Sequence, residues 1–193
     1  MIEVRFHGRG GQGAVLASEL LAQAAFQQGL YPQSFPFFGV ERRGAPVTAF
    51  ARIAAEPIAF RTRITEPDIV VVLEPGLFRV VPVADGLKPP GLLLVNTPRP
   101  PEDLETSHPG PRATVDATAI ARRLGLGPSA SPIVNTAMLG ALAESSRIVG
   151  LAALDAAIAA HLRTLTEANR EAAREGAAAV RRTEARPLLA GVA

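Results

Sequence analysis

The chain has 193 residues, 48% of them hydrophobic and 20% charged, with a formal net charge of +2, which suits an ordinary globular domain with its own core and excludes a disordered tail. It contains no cysteine, so it forms no disulfide and supplies neither a catalytic thiol nor a cysteine ligand to an iron–sulfur or zinc centre. The basic side chains are scattered arginines with Lys88 as the one lysine, a single tyrosine and no tryptophan offer little stacking surface, and no stretch approaches 18 consecutive apolar residues; neither a nucleic-acid partner nor a membrane is expected, and the chain reads as soluble and cytoplasmic.

Ile2 to His7 alternates apolar and polar residues and ends at Gly8, the pattern of a first strand. Ala14 to Gln28 carries Val15, Leu16, Leu20, Leu21, Ala24 and Ala25 at helical spacing and stops at Gly29. Tyr31 to Phe35 reads as a short extended piece, and Val47 to Ile53 as a further strand with a hairpin partner around Ile58 to Arg61. Asp68 to Leu73 and Leu92 to Val95 are short, almost wholly apolar runs, as expected of parallel strands buried on both faces. Between them, Gly76 to Val83 predicts a helical crossover.

Residues 97–111 hold five prolines and predict a surface loop or a weakly ordered insertion. From Asp116 onward the periodicity is helical, over Ala117 to Leu124, Asn135 to Glu144, Leu151 to Leu162 and Leu165 to Arg182. The last of these has a mainly alanine face, as in a peripheral helix or one that lies against a partner chain. The expected architecture is α/β: one Rossmann-like layered domain over residues 1–193, with a mixed, mostly parallel sheet and a helical C-terminal region. Within it, 98–111 is set apart as a variable loop and 164–193 as a peripheral helix and tail.

Gly8, Arg9, Gly10, Gly11, Gln12 and Gly13 fit the G-x-G-x-x-G spacing between a predicted strand and a predicted helix. Glycines there let a phosphate approach the backbone, and the first N–H groups of the helix favour an anion. A tight strand-to-helix turn with nothing bound is the other reading. A dinucleotide site would also want an acid some 20 residues on to hold the ribose. Leu30 to Phe35 contains none, so a phosphate ligand recognised without that contact, such as coenzyme A, fits better than NAD.

Glu41, Arg42, Arg43 and Gly44 lie beside Phe35, Phe37 and Phe38. The arginine pair suits either phosphate gripping or a subunit contact. His7 reads as a satisfied, partly buried histidine. Asp68, Glu74, Asn96 and Asn135 read as caps and turn residues, and the three histidines show no metal-ligand spacing. Taken by itself, the chain looks like a binding domain.

Arg5 to Val15 (RFHGRGGQGAV) and Phe35 to Val47 (FPFFGVERRGAPV) together resemble the gamma subunit of 2-oxoacid:ferredoxin oxidoreductases, and Glu66 to Asp68, Val95 to Thr97 and Asn135 to Ala141 fit as well. The likeness runs to about residue 176 and leaves 98–111 unmatched. It implies an α/β domain over the active site of a complex that oxidatively decarboxylates pyruvate or 2-ketoisovalerate to acyl-CoA and CO2 and reduces ferredoxin. It also implies partner alpha, beta and delta (ferredoxin-like) subunits that hold thiamine diphosphate, Mg2+ and [4Fe–4S] clusters. Coenzyme A binding carries over onto Gly8 to Gly13 and, by motif and charge, onto Arg42 and Arg43, with no catalytic or metal-binding residue on this chain. Indolepyruvate oxidoreductase beta subunits share the domain but more often place Val where Arg9 stands and generally lack the Glu-Arg-Arg-Gly-Ala-Pro signature. A stand-alone nucleotide-binding module is the alternative outside that enzyme class.

Overall fold

Alternation along β1 (Ile2–Arg9) sends Val4 and Phe6 into one core and leaves Arg5 and His7 on the opposite face. In a computed structural model, which describes residues 1–37 and 45–183, this strand sits inside a seven-stranded sheet of order β2-β3-β1-β4-β5-β6-β7. The central strands β1, β4 (Ile69–Val72), β5 (Leu92–Asn96) and β6 (Arg112–Val115) are mutually parallel. Antiparallel strands close both sides. β3 (Pro46–Ala54) pairs with β1 and with β2 (Tyr31–Phe37), while β7 (Arg181–Arg182) pairs with β6. On the edge strand β2, Pro32 and Pro36 fall on one side at a spacing of two strand periods. Their missing N–H groups blunt that edge against further pairing.

The expected α/β class and mixed sheet are what the structure shows. β4 and β5 are buried on both faces, as their β-branched and leucine runs require. Ile69, Val71, Leu92 and Leu94 join the larger core beneath α1 (Ala14–Gln27), α2 (Ala117–Arg123), α3 (Asn135–Ser146), α4 (Leu151–His161) and α5 (Thr166–Ala179). Val70, Val72, Leu93 and Val95 face a smaller core closed by Leu77, Val83 and Leu87. One sheet face is therefore roofed by helices and the other by turns.

Three local expectations need correction. Ile58 to Arg61 forms no strand; that segment is held by side chains, with Gln33 Nε2 donating to Ile58 O and Arg52 Nη2 to Thr62 O. Gly76 to Val83 forms no crossover helix but a 3-10 turn over Pro75–Arg79 followed by tight turns, and Pro82 would interrupt any continuation. The alanine face of α5 is no loose periphery: Ala172 and Ala173 join the main core, and Gly176 packs on α3. Residues 97–111 run as a surface loop, as expected, pinned where Pro101 and His108 are buried and His108 Nε2 lies 2.7 Å from Gly91 O.

Candidate functional site

Chain order makes a crevice at the carboxyl end of the sheet. From β1 the chain runs through α1 to the far edge at β2, returns through β3 beside β1, and then crosses to β4 on the other side of β1. The order thus reverses between β1 and β4. Open α/β sheets bind ligands outside the carboxyl ends of their strands at such a reversal, and this is where Gly8 to Gly13 lies.

Within that loop the side chain of Gln12, 8% exposed, acts as a clamp. Arg9 N–H donates to Gln12 Oε1 at 2.8 Å, and Gln12 Nε2 donates to Glu74 Oε2 at 2.8 Å. Glu74 Oε1 in turn accepts from Gly76 N–H at 3.2 Å, so the loop after β1 is tied to the turn after β4. Gly10 N–H is bonded to Ala45 O and Gln12 N–H to Arg9 O. These bonds shape the loop and occupy the N–H groups of Arg9, Gly10 and Gln12.

The start of α1 has local features that suit an anion. Gly13 is the N-cap residue, no side chain caps the helix, and no acid stands in its first turn. The N–H groups and positive dipole end there favour a phosphate. Gly11 (φ 99°) and Gly13 (φ 82°) adopt left-handed conformations that other residues take up with strain. Gly13 has a second reason to be glycine, since a Cβ there would stand 2.5 Å from Asn135 Nδ2. Asn135 opens α3 and is 1% exposed; its Oδ1 accepts from Thr136 N–H, but among the described residues its Nδ2 has no hydrogen-bond partner. Two helix starts and an unsatisfied amide donor thus converge behind the glycine loop.

The structure brings Gly8, Arg9, Gly10, Gly11, Gln12 and Gly13 together. Arg42 and Arg43 lie outside the described residues. Glu74 and Asn135, read above only as caps, belong to this crevice; their places at a strand end and a helix start were the available signal. Asn96 closes the neighbouring end, with Nδ2 donating to Leu73 O and Oδ1 accepting from Thr118 N–H. The missing ribose acid also gains a structural reason. β3 occupies the place beside β1 where a dinucleotide fold puts its second strand.

His7, at the end of β1, is buried but not satisfied, since among the described residues its Nε2 has no partner. Burial, with Arg5 and then Arg63 nearby, lowers its pKa from 6.5 to about 3. The unfolded chain therefore takes up a proton near pH 6.5 that the folded chain refuses until far lower pH, so the stability this neutral ring contributes is complete above pH 6.5 and is lost as pH falls. His7→Gln is expected to flatten the loss of stability between pH 7 and pH 5 by up to about 2 kcal/mol, at about 1.4 kcal/mol per pH unit. Urea titrations of both proteins at the two pH values check this; identical losses would refute it.

The chain has no cysteine and, among the described residues, no group of three or more His, Asp or Glu side chains placed to hold a metal ion. Its residues therefore do not fit a [4Fe–4S] cluster. No helix among the described residues is long and apolar enough to cross a membrane.

A family model described as pyruvate ferredoxin/flavodoxin oxidoreductase matches residues 3–179. The chain is 53% identical over 180 residues to the pyruvate/ketoisovalerate oxidoreductases common subunit gamma of Pyrococcus abyssi, with 91% of this chain and 95% of that one covered. It superimposes on the crystal structure of pyruvate oxidoreductase subunit PORC from Thermotoga maritima with a TM-score of 0.82 at 38% identity, covering 95% of this chain and 98% of that one. The fold is shared with 2-oxoglutarate:ferredoxin oxidoreductase from Magnetococcus marinus, solved with 2-oxoglutarate, coenzyme A and succinyl-CoA bound, at a TM-score of 0.71 and 20% identity, over 92% of this chain and 30% of that one.

Proposed function

The chain belongs to the pyruvate ferredoxin/flavodoxin oxidoreductase family as a gamma subunit, and we propose that it covers the active site of its enzyme complex and helps to bind coenzyme A there. The complex oxidatively decarboxylates pyruvate or 2-ketoisovalerate to acyl-CoA and CO2 and passes the electrons to ferredoxin. Partner alpha, beta and delta subunits hold the thiamine diphosphate, Mg2+ and [4Fe–4S] clusters. Together those groups supply the decarboxylation and electron transfer, and this chain positions the acyl acceptor.

The observation that carries this reading is the uncapped start of α1 at the strand-order reversal, with Asn135 Nδ2 unsatisfied behind it. The coenzyme A pyrophosphate meets helix-start N–H groups across a loop that presents no Cβ at Gly11 or Gly13. Arg42 and Arg43 are assigned to the mouth of the site, on coenzyme A phosphates or on an acidic partner surface. Support by likeness comes from the fold neighbour solved with coenzyme A and succinyl-CoA bound.

Gly11→Val tests this reading. Among the described residues nothing stands within 4 Å of the position its Cβ would take, so the new side chain enters open space and the cost to the fold is confined to the strained loop. In the assembled complex the KM for coenzyme A is expected to rise about tenfold or more, while the KM for the 2-oxoacid stays near the parent value. Gly11→Asn, whose side chain best tolerates positive φ, should shift it in the same direction by less. An intact complex with unchanged coenzyme A kinetics in both variants would reduce the loop to a tight turn.

A further inference from the structure

On the sheet face away from the helices, a pocket of about 520 Å³ opens between the turn Pro75–Arg79 and the segment 97–105, a volume suited to a small ligand or part of a larger one. It adjoins the glycine loop. Gly76 lines it and donates to Glu74, which is bonded to Gln12. Arg9 Nη2 lies 3.8 Å from where a Cβ of Gly76 would stand, so a third guanidinium is close to its wall.

The lining sorts by chemistry. Phe78 and Val95 give apolar surface, while Arg79, Arg99, Asp103 and Glu105 carry charge. Among the described residues, none of these four charges is in an ion pair. Opposite charges on one pocket wall that do not neutralise each other are available to a ligand carrying both a phosphate and hydrogen-bond donors. An aromatic ring such as Phe78 suits stacking by a purine, a carboxylate suits an exocyclic amine or ribose hydroxyls as donors, and guanidinium groups suit a phosphate through paired N–H donors.

We propose, resting on the coenzyme A reading above, that this pocket takes the adenosine 3′-phosphate end of that molecule and that Arg79 and Arg99 read the 3′-phosphate. In coenzyme A a single ribose separates the 3′-phosphate from the pyrophosphate. The pocket is separated from the glycine loop by the single bridge Gln12–Glu74–Gly76. The two ends of the nucleotide thus meet two adjacent sites, and the arginines make the subunit specific for coenzyme A over its 3′-dephosphorylated form.

The test compares kcat/KM for coenzyme A and for dephospho-coenzyme A in the assembled complex, for the parent, Arg79→Ala, Arg99→Ala and the double variant. The parent should prefer coenzyme A. Each single variant should lose about tenfold in that preference, the effect of one charge-assisted contact, while kinetics with dephospho-coenzyme A stay within about twofold, a change under 0.5 kcal/mol. Arg→Lys variants should retain part of the preference, since the charge remains and the fork is lost. A parent indifferent to the 3′-phosphate overturns the proposal, as do variants with undiminished preference or variants that only dissociate from the complex. If Gly11→Val weakens both forms of coenzyme A equally while the arginine variants keep the preference, the loop reading stands and only this pocket assignment falls. If Gly11→Val affects neither form, the coenzyme A reading itself fails.

Discussion

Replacing Gly140 with alanine is expected to lower the unfolding midpoint by about 10 °C, equivalent to about 3 kcal/mol in a domain of this size. A Cβ at Gly140 would lie 1.8 Å from Ala173 O and 2.6 Å from its carbonyl carbon, and one at Gly176 would lie 2.0 Å from Ala137 O. Both obstacles are backbone, so no rotamer change relieves them, and α3 and α5 must separate. Alanine is the better helix former by about 1 kcal/mol, which offsets part of the cost. Overpacking of this kind costs about 1–3 kcal/mol even where side chains can yield, and here they cannot. Gly176→Ala should behave alike. Gly150→Ala is the control, because among the described residues nothing stands within 4 Å of its Cβ position. Calorimetric midpoints for Gly140→Ala and Gly176→Ala within about 2 °C of the parent, under about 1 kcal/mol, would show that the helices do not meet this closely.

The second large effect is expected at Arg52, 1% exposed near the C-terminal end of β3. Its Nε donates to Glu3 Oε1 at 2.8 Å and its Nη2 to Thr62 O at 2.6 Å. The guanidinium lies 5.3 Å from the Phe35 ring centroid and 4.9 Å from that of Phe60, within reach of cation–π attraction. One side chain thus joins β3, β1, β2 and the segment that covers them. Arg52→Met keeps bulk but leaves the Glu3 carboxylate and the Thr62 carbonyl unpaired. Breaking a buried pair from one side costs about 3–5 kcal/mol; Glu3 keeps 16% of its side chain exposed, so a loss of about 2–4 kcal/mol is expected. Adding Glu3→Gln to Arg52→Met should restore part of it, because the stranded charge is gone. Urea denaturation of the parent, both single variants and the double variant measures this. A double variant less stable than the sum of the single effects predicts would contradict the pairing.

Much of this architecture could be read from residue order, and particular elements show why. The β-branched run before Leu73 and the leucines of β5 announce strands covered on both sides, because a residue pattern without alternation has no solvent face. The glycine loop declares itself through its place between an alternating strand and a helical repeat. Where local pattern is weak, the reading fails. β6 has only four residues, among them Arg112 and Ala113, and β7 has two arginines; neither resembles a strand until a neighbour supplies its hydrogen bonds. The turn at Pro75–Arg79 and the segment 57–64 depend likewise on contacts from Glu74, Gln33 and Arg52.

By itself, then, the sequence determined the α/β class, the glycine loop Gly8 to Gly13 between a strand and a helix, the family, and a chemistry without cysteine ligands. Each is written in composition, in spacing within one or two elements, or in a contiguous motif. Only the tertiary structure decided that β3 separates β2 from β1, that Asn135 backs Gly13, that Gln12 reaches Glu74, and that Arg79 and Arg99 share a pocket beside Gly76. Those relations join residues distant along the chain. Periodicity reports which face of an element is buried and carries no record of the partner that buries it, so strand order and helix contacts settle such pairings when the chain closes its core.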